Sequence, residues 1–147
     1  QCEDKLIYAN ASDLSPIKAT NLKGEVLLEF KPQHQGLSFP MFVGKKWSSN
    51  YSGFRADKNR KWDGRLECEV KAYEPVRVAA GSFDAYRVEC IDNWEFGYIF
   101  SGKVASTRWY APAEGIVIKA ISEDKDWNFE LAAFTQISPG SERTAAR

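Results

Sequence analysis

Residues Arg65–Ala72, RLECEVKA, alternate strictly between polar and apolar side chains. In an extended chain Leu66, Cys68 and Val70 point to one side, and the charged residues between them point to the other. A period of two residues is typical of a β-strand that buries one face and exposes the other to water. This segment therefore predicts an antiparallel sheet with one apolar face and one wet face.

Similar signals flank this segment on both sides. Towards the N-terminus, Val26, Leu28 and Phe30 alternate with glutamates. Towards the C-terminus, further strand-like segments follow at short intervals: Phe83–Ile91, Trp94–Phe100, Val104–Tyr110, Gly115–Ile121 and Trp127–Phe134. No window of about 11 residues or more has the 3.6-residue period of a helix. We therefore predict an all-β fold, an antiparallel meander of about seven or more strands that forms a barrel, half-barrel or sandwich.

Three parts of the chain give weaker signals. Residues 1–22 combine turn formers with few apolar positions, which predicts an irregular lead-in. The polar segment Lys45–Asp63 predicts either a weak edge hairpin or a long loop. Residues 138–147 have nothing to bury and predict a disordered tail, so we expect one β domain over residues 1–137.

Proline and glycine mark the ends of the strongest hairpin. Pro75 has no backbone N–H for a ladder, so we expect a bulge or an edge position there. A tight turn is predicted at Ala79–Ser82, where Gly81 accommodates a positive φ. The segment Phe83–Ile91 then returns as the partner strand.

Length and charge restrict the classes of function. The chain has 147 residues and is 44% hydrophobic, enough for one well-packed domain. Twenty basic residues balance 20 acidic ones, so no overall field favours nucleic acid as a partner. No apolar stretch approaches the roughly 20 residues of a transmembrane helix. No signal peptide opens the sequence, so the protein is either cytosolic or freed of its export signal.

The three cysteines are Cys2, Cys68 and Cys90. None of them lies in a C-x-x-C pair or beside a histidine, so no zinc site is expected. Cys68 and Cys90 occupy consecutive predicted strands and can face the same side of one hairpin, either as a disulfide or as two buried thiols. Cys2 is left without an assigned role.

No catalytic or cofactor motif is present. The single histidine, His34, lies between turn-forming residues, which predicts a solvated loop position. Glu67 and Glu69 alternate with basic residues on a predicted exposed face, which indicates a soluble strand and not a hydrolytic pair. Neither a nucleophile elbow nor a phosphate-binding glycine loop occurs. We therefore expect no enzyme activity and no cofactor.

Two segments are candidates for ligand binding. The segment Gly44–Arg65 holds seven basic residues against two acids and interleaves aromatic rings, a mixture suited to stacking and to anionic groups. Its simpler interpretation is a solvated loop whose rings pack on the core. The segment Trp94–Phe100, WEFGYIF, is either the lining of an apolar groove or an ordinary core stripe. The candidate residues are Lys45, Lys46, Trp47, Tyr51, Arg60, Trp62, Trp94, Phe96 and Tyr98.

Three motifs resemble a family of bacterial exported β-rich proteins of unknown function. They are FPMFVGKKW at Phe39–Trp47, YEPVRVAAGSFDAYRVEC at Tyr73–Cys90 and TRWYAPAEGIVIK at Thr107–Lys119. Their order and spacing are similar to the family pattern over Phe39–Phe134, with Ala79 in place of a proline and Ser82 in place of a threonine. The resemblance implies a β fold and an exported location, periplasmic or associated with the cell envelope, and it implies no activity.

These observations lead to a ranked set of hypotheses. The first is a non-catalytic binding or structural domain of the bacterial envelope that holds a small apolar ligand or a partner segment on a curved sheet. The second is a carbohydrate- or glycolipid-binding module, which requires exposed tryptophan and tyrosine rings. The third is a hydrolase of unknown type. The partner is accordingly an envelope lipid, glycan or protein.

Overall fold

A computed structural model describes residues 5–124 and 128–135, and in these residues nine strands form one antiparallel sheet. The strands are β1 Lys5–Ala9, β2 Pro16–Asn21, β3 Val26–Phe30, β4 Lys46–Arg55, β5 Arg60–Val78, β6 Gly81–Phe96, β7 Phe100–Ala111, β8 Ile116–Ser122 and β9 Phe129–Glu130. Each strand pairs with the next one in the chain, and the described residues contain no helix. The sheet curls into a half-barrel. This confirms the predicted all-β meander, and of the three predicted shapes, barrel, half-barrel and sandwich, the structure has the second.

The register of β4–β7 assembles one apolar face from the alternating residues. Leu66 lies opposite Asp92, and Cys68 lies between Trp47 on β4 and Cys90 on β6. We call this side of the sheet the inner face. Its side chains on the four strands include Trp47, Ser49, Tyr51, Trp62, Leu66, Cys68, Val70, Tyr86, Val88, Cys90, Asp92, Trp94, Val104, Arg108 and Tyr110.

Cys68 and Cys90 form a disulfide between directly opposed positions of β5 and β6. Both cysteines are buried in the cluster that contains Leu66, Val70 and Val88. Of the two interpretations left open by the sequence, the covalent one is correct for these residues.

A covering loop, residues 31–45, joins β3 to β4 and folds over the inner face. Leu37 is buried in the inner cluster, and Met41 packs against it. The indole Nε1 of Trp47 donates to the Gln35 carbonyl oxygen at 3.0 Å. The Lys45 ammonium donates to the carbonyl oxygens of Ser38 and Pro40 at 3.1 and 2.6 Å. The Trp47 bond fixes the loop against β4, and the Lys45 bonds hold the loop to itself.

A second apolar cluster lies on the opposite face of the same strands. It consists of Val78, Ala85, Ala111 and Ile118, and Leu131 near the end of the described chain packs against it. Ala85 and Val88 are three residues apart on the uninterrupted strand β6, so their side chains point to opposite faces. The expectation of one wet face therefore fails at this end of the sheet.

The turn predictions agree with the structure. β5 ends at Val78 and β6 begins at Gly81, whose φ is +136°. The ladder between β4 and β5 runs only as far as Glu69, so Pro75 lies on a part of β5 that has one partner strand. This is the edge position that proline requires. The irregularity of the strand falls earlier, between Val70 and Ala72.

One prediction from the weaker signals is wrong, and another is right only in that it named a hairpin. The lead-in contains β1 and β2, which pair with each other, and it was missed because every residue of β1 is exposed and shows no alternation of burial. Lys45–Asp63 contains a long hairpin inside the sheet, since β4 has partners on both sides. Its outward positions carry Ser48, Asn50 and Ser52 instead of charged residues, which weakened the pattern. The predicted disordered tail lies outside the described residues.

Candidate binding site on the inner face

Three aromatic rings on the inner face lie across glycines of the neighbouring strand. A Cβ at Gly64 would overlap the Tyr51 ring, one at Gly53 would overlap Trp62, and one at Gly102 would overlap Trp94. A ring that rests on a glycine backbone lies flat on the sheet and turns its other π face away from the strand. We call Tyr51, Trp62 and Trp94 the aromatic floor.

The floor continues towards the turn between β6 and β7. Phe96 and Phe100 are opposed residues, with ring centroids 6.4 Å apart. Phe96 shares the inward register of Trp94, because the two are separated by one residue. The guanidinium carbon of Arg60 lies 5.6 Å from the centre of the Phe96 ring. Trp62, Trp94 and Phe96 are all half-buried, so the floor is partly open at this end.

Polar groups meet at the end of the floor under the covering loop. The Tyr51 hydroxyl donates to Oδ2 of Asp92 at 2.7 Å and accepts from Nε1 of Trp62 at 3.3 Å. Nε2 of His34 is 3.3 Å from the same carboxylate oxygen, and the His34 ring stacks edge-on to Tyr51 at 4.7 Å between centroids. His34 is buried, so the predicted solvated position is wrong. Its burial follows from the loop, which turns this residue back onto Phe30 and Tyr51.

Asp92 and Arg108 present polar atoms that have no partner. Oδ1 of Asp92 and Nη1 of Arg108 are fully buried without a hydrogen bond in the described residues, and so is the Ser49 hydroxyl on β4. A Cβ at Gly36 would overlap the Arg108 guanidinium, so this glycine of the covering loop packs directly on the charge. Unpaired buried polar atoms are costly, which makes them a feature to be explained.

Burial shifts the pKa of two of these groups, Tyr51 and Arg108. Burial, reinforced by the hydrogen bond to Asp92 and by its negative charge, raises the pKa of the Tyr51 hydroxyl well above its ordinary value. Tyr51 is therefore a neutral donor at any physiological pH. Burial lowers the pKa of Arg108, and the nearby Asp92 charge opposes that shift. The site thus combines a neutral phenol, a carboxylate oxygen and a guanidinium N–H.

The structure places the nine predicted site residues in four different surroundings. Six of them lie on the inner face: Trp47, Tyr51, Arg60, Trp62, Trp94 and Phe96. Lys45 is the last residue of the covering loop and binds carbonyl oxygens within it, and Lys46 lies on the outer face 4.0 Å from Glu69. Tyr98 lies in the turn after Gly97, whose φ is +63°, and therefore leaves the stripe of Trp94 and Phe96.

Sequence reasoning missed Asp92, Arg108 and Ser49. Each of them occupies an inward position of its strand, where apolar neighbours two residues away predict another apolar side chain. Asp92 follows Val88 and Cys90 at this spacing, and Arg108 precedes Tyr110. The signal in the sequence was a charged residue at a position where the alternation expects an apolar one. This signal can be recognised only once the register of the strands is known.

Within the described residues, no group of three or more His, Cys, Asp or Glu side chains is placed to hold a metal ion. The only hydrogen bond found for the His34 side chain within residues 5–124 and 128–135 is the one to Asp92. In the same part of the chain, no helix has the length and apolar character needed to cross a membrane.

Comparison with known proteins gives a likeness in fold. No family model matches the chain, and no curated protein matches it. A solved structure from Bacteroides fragilis, of a protein assigned as exported and having a YmcC-like fold, superposes with a TM-score of 0.50. The two chains are 13% identical, and the match covers 89% of this chain and 84% of the other. The likeness shows the shared fold, and membership of the family suggested by the three motifs stays a prediction.

Proposed function

We propose that this chain is a non-catalytic binding domain of the bacterial cell envelope that holds a small amphiphilic ligand on its inner face. The apolar body of the ligand stacks on the aromatic floor, and its polar group meets Asp92 and Arg108. The observation that carries the proposal is the continuity between flat aromatic rings and unpartnered buried polar atoms on one face of the sheet. Pockets with apolar walls and a few placed polar groups are the usual form of small-molecule sites.

The polar end of the site suits binding better than catalysis. His34 and Tyr51 both direct their polar atoms to the same oxygen of Asp92, which occupies them with each other. A general base needs a free path to a substrate proton or to a nucleophile. The free atoms that remain are Oδ1 of Asp92, an acceptor, Nη1 of Arg108, a donor, and the Ser49 hydroxyl, which can do both.

Location in the envelope has three supports. The Cys68–Cys90 disulfide is typical of proteins that fold in an oxidising compartment such as the periplasm. The structural neighbour from Bacteroides fragilis is assigned as exported, and the resemblance of the three motifs points the same way. Together these favour an exported protein.

The carbohydrate-binding alternative needs tryptophan rings on the surface. Trp47, Trp62, Trp94 and Trp109 are all half-buried. The indole N–H groups of Trp47, Trp62 and Trp109 donate to protein oxygens. Half-buried rings whose N–H groups are already bonded favour a ligand held against the inner face and disfavour a sugar stacked on the outside of the sheet.

The proposal is tested by native mass spectrometry and calorimetry. The protein purified from its native envelope is sprayed intact and then extracted for lipid analysis, and dodecyl amphiphiles with carboxylate, phosphate or ammonium heads are titrated into the delipidated protein. We expect one bound amphiphile per chain, with affinity reduced on the order of tenfold or more by Arg108→Gln, because a charged hydrogen-bond donor is lost.

Arg77→Gln is the matched control, because Arg77 is exposed and forms none of the ion pairs found in the described residues. It should bind like the wild type. The proposal is wrong if no amphiphile binds to the folded protein, or if Arg108→Gln binds all three head groups as tightly as Arg77→Gln does.

A further inference from the structure

Three aromatic or aliphatic side chains stand out from the end of the β6–β7 hairpin. Tyr98 is fully exposed, Ile99 is 85% exposed and Phe100 is 60% exposed. They are consecutive in the chain and directly follow Gly97, at which the turn begins. Contiguous exposed apolar residues of this size mark a surface that contacts something other than water. We call Tyr98, Ile99 and Phe100 the hairpin tip.

Basic residues lie beside the hairpin tip. The meander places the β4–β5 turn and the β6–β7 turn at the same end of the sheet, and both flank β5. Arg60 contacts the Phe96 ring across this gap, at 5.6 Å from its centre. The segment Arg55–Lys61 contains four basic residues and one acid, Asp57.

Three of these four cations form no ion pair among the described residues. Asp57 pairs with Arg55 at 3.0 Å. None of the ion pairs found in residues 5–124 and 128–135 includes Lys58, Arg60 or Lys61. Asp63 and Glu95 are opposed to each other farther from the turns.

Exposed rings surrounded by cations are complementary to an anionic bilayer. Tyrosine and phenylalanine side chains partition into the headgroup region, where an apolar ring and a polar hydroxyl are both accommodated. Lysine and arginine next to such a tip are attracted to the negative surface potential of acidic lipids. A protein partner would be bound by the same rings, but it gives no reason for three unpaired cations beside them.

We propose that the hairpin tip docks this domain on an anionic lipid surface, with Tyr98, Ile99 and Phe100 in the headgroup region and Lys58, Arg60 and Lys61 on the lipid phosphates. The proposal goes beyond ligand binding on the inner face and does not depend on it. The open end of the aromatic floor then faces the lipid.

Cosedimentation with large vesicles tests the proposal. Vesicles of pure phosphatidylcholine and vesicles with about 30% phosphatidylglycerol are mixed with the whole chain at low and high salt. We expect binding to the anionic vesicles only, and weaker binding in about 0.5 M NaCl than in 0.05 M, because salt screens exposed charges.

Variants at the tip identify the contact. Tyr98→Ser/Ile99→Ser should abolish sedimentation, whereas Tyr98→Trp should keep it. Phe42→Ser/Val43→Ser is the matched control, since these residues are 56% and 54% exposed in the covering loop at the other end of the sheet.

Lys58→Gln/Lys61→Gln should weaken binding on the order of fivefold for each cation removed. Lys31→Gln/Arg77→Gln removes two exposed cations elsewhere and should have no such effect.

The outcomes separate this proposal from its alternatives. No binding to anionic vesicles by the folded protein overturns it, as does equal loss in the Phe42→Ser/Val43→Ser control. Dimerisation of the wild type that disappears in Tyr98→Ser/Ile99→Ser without lipid binding assigns the tip to a second copy of the chain instead. Arg108→Gln should bind vesicles like the wild type, so failure of amphiphile binding on the inner face is distinguishable.

Discussion

Tyr51 joins all the components of the candidate site. Its ring rests on Gly64, its hydroxyl donates to Asp92 and accepts from Trp62, and its edge meets His34. A side chain with so many partners has one conformation available. The geometry of the polar end therefore depends on this single tyrosine.

Removal of the Tyr51 hydroxyl should change stability in a pH-dependent way. The pKa of this group is raised in the folded state, so its contribution is complete below its ordinary value of 10.0 and is lost as the pH rises through the folded value. Tyr51→Phe should cost about 1–3 kcal/mol at neutral pH, because Asp92 loses a donor. Above pH 10 the loss of stability with rising pH should be shallower in the variant than in the wild type.

Denaturant unfolding between about pH 7 and pH 11.5 measures this difference. Tyr98→Phe is the control, because the Tyr98 side chain is fully exposed in a turn. Identical alkaline slopes for the wild type and Tyr51→Phe would contradict the assignment of a buried, neutral hydroxyl.

The glycine under Tyr51 should be as sensitive as the tyrosine itself. Gly64→Ala places a methyl group inside the ring, and we expect a loss of about 1–3 kcal/mol as the ring is displaced. In a Tyr51→Ala background the same substitution should cost much less, since the space is then free. A double-mutant cycle measured by thermal or denaturant unfolding gives the coupling free energy between residues 51 and 64. An equal loss of stability from Gly64→Ala in both backgrounds would show that the Tyr51 ring does not exclude a side chain at position 64.

The aromatic residues of the site could be predicted from the sequence, and its charged residues could not. Trp62 was a candidate because rings interleave with basic residues in Gly44–Arg65, and Trp94 because rings recur at alternate positions after it. Asp92 and Arg108 look like ordinary surface charges until the register shows that they point inwards. His34 was misjudged because a histidine among turn formers is usually solvated, and its burial depends on how the loop folds back.

At the scale of strands, the disulfide should stabilise the β5–β6 hairpin. Cys68 and Cys90 are 22 residues apart, and a crosslink that closes a loop of this length contributes about 3 kcal/mol by limiting the unfolded chain. Cys68→Ala/Cys90→Ala should lose stability of that order in denaturant unfolding. Thiol titration of the unreduced wild type should find one reactive cysteine, Cys2. Three reactive thiols would show that Cys68 and Cys90 are not bonded to each other.

Strand prediction succeeded where one face is charged. In β5, Glu67 and Glu69 alternate with buried residues and make the period obvious. In β4 the outward residues are serine and asparagine, and in β1 apolar residues such as Ile7 are exposed. β1 is recognisable only from its partner strand, since all of its residues are exposed, and β4 lacks the charged outward residues that would make its alternation visible.

At the scale of the whole molecule, the tryptophans should resist external quenchers. The four described ones are half-buried, and three donate their N–H groups to protein oxygens. Iodide or acrylamide should therefore quench the native fluorescence several-fold less than that of the protein in about 6 M guanidinium. Strong quenching of the native state would instead favour rings exposed for sugars.

The sequence did not predict whether the sheet forms a barrel, a half-barrel or a sandwich. Register shifts occur in β1–β2, β2–β3, β5–β6 and β7–β8, and such bulges set the local bend and twist. No residue type marks these positions, and the same alternation is compatible with a barrel or a sandwich. Half-barrel geometry therefore follows from the accumulated irregularities of many strand pairs.

For the export that we propose, a meander in which each strand pairs with its successor has a consequence. A polypeptide that leaves a narrow translocation channel from its N-terminus can add one finished ladder after another, because no early strand waits for a distant partner. Cys68 meets Cys90 as soon as the second arm of their hairpin has emerged. Oxidation at that moment would lock the middle of the sheet before its last strands arrive.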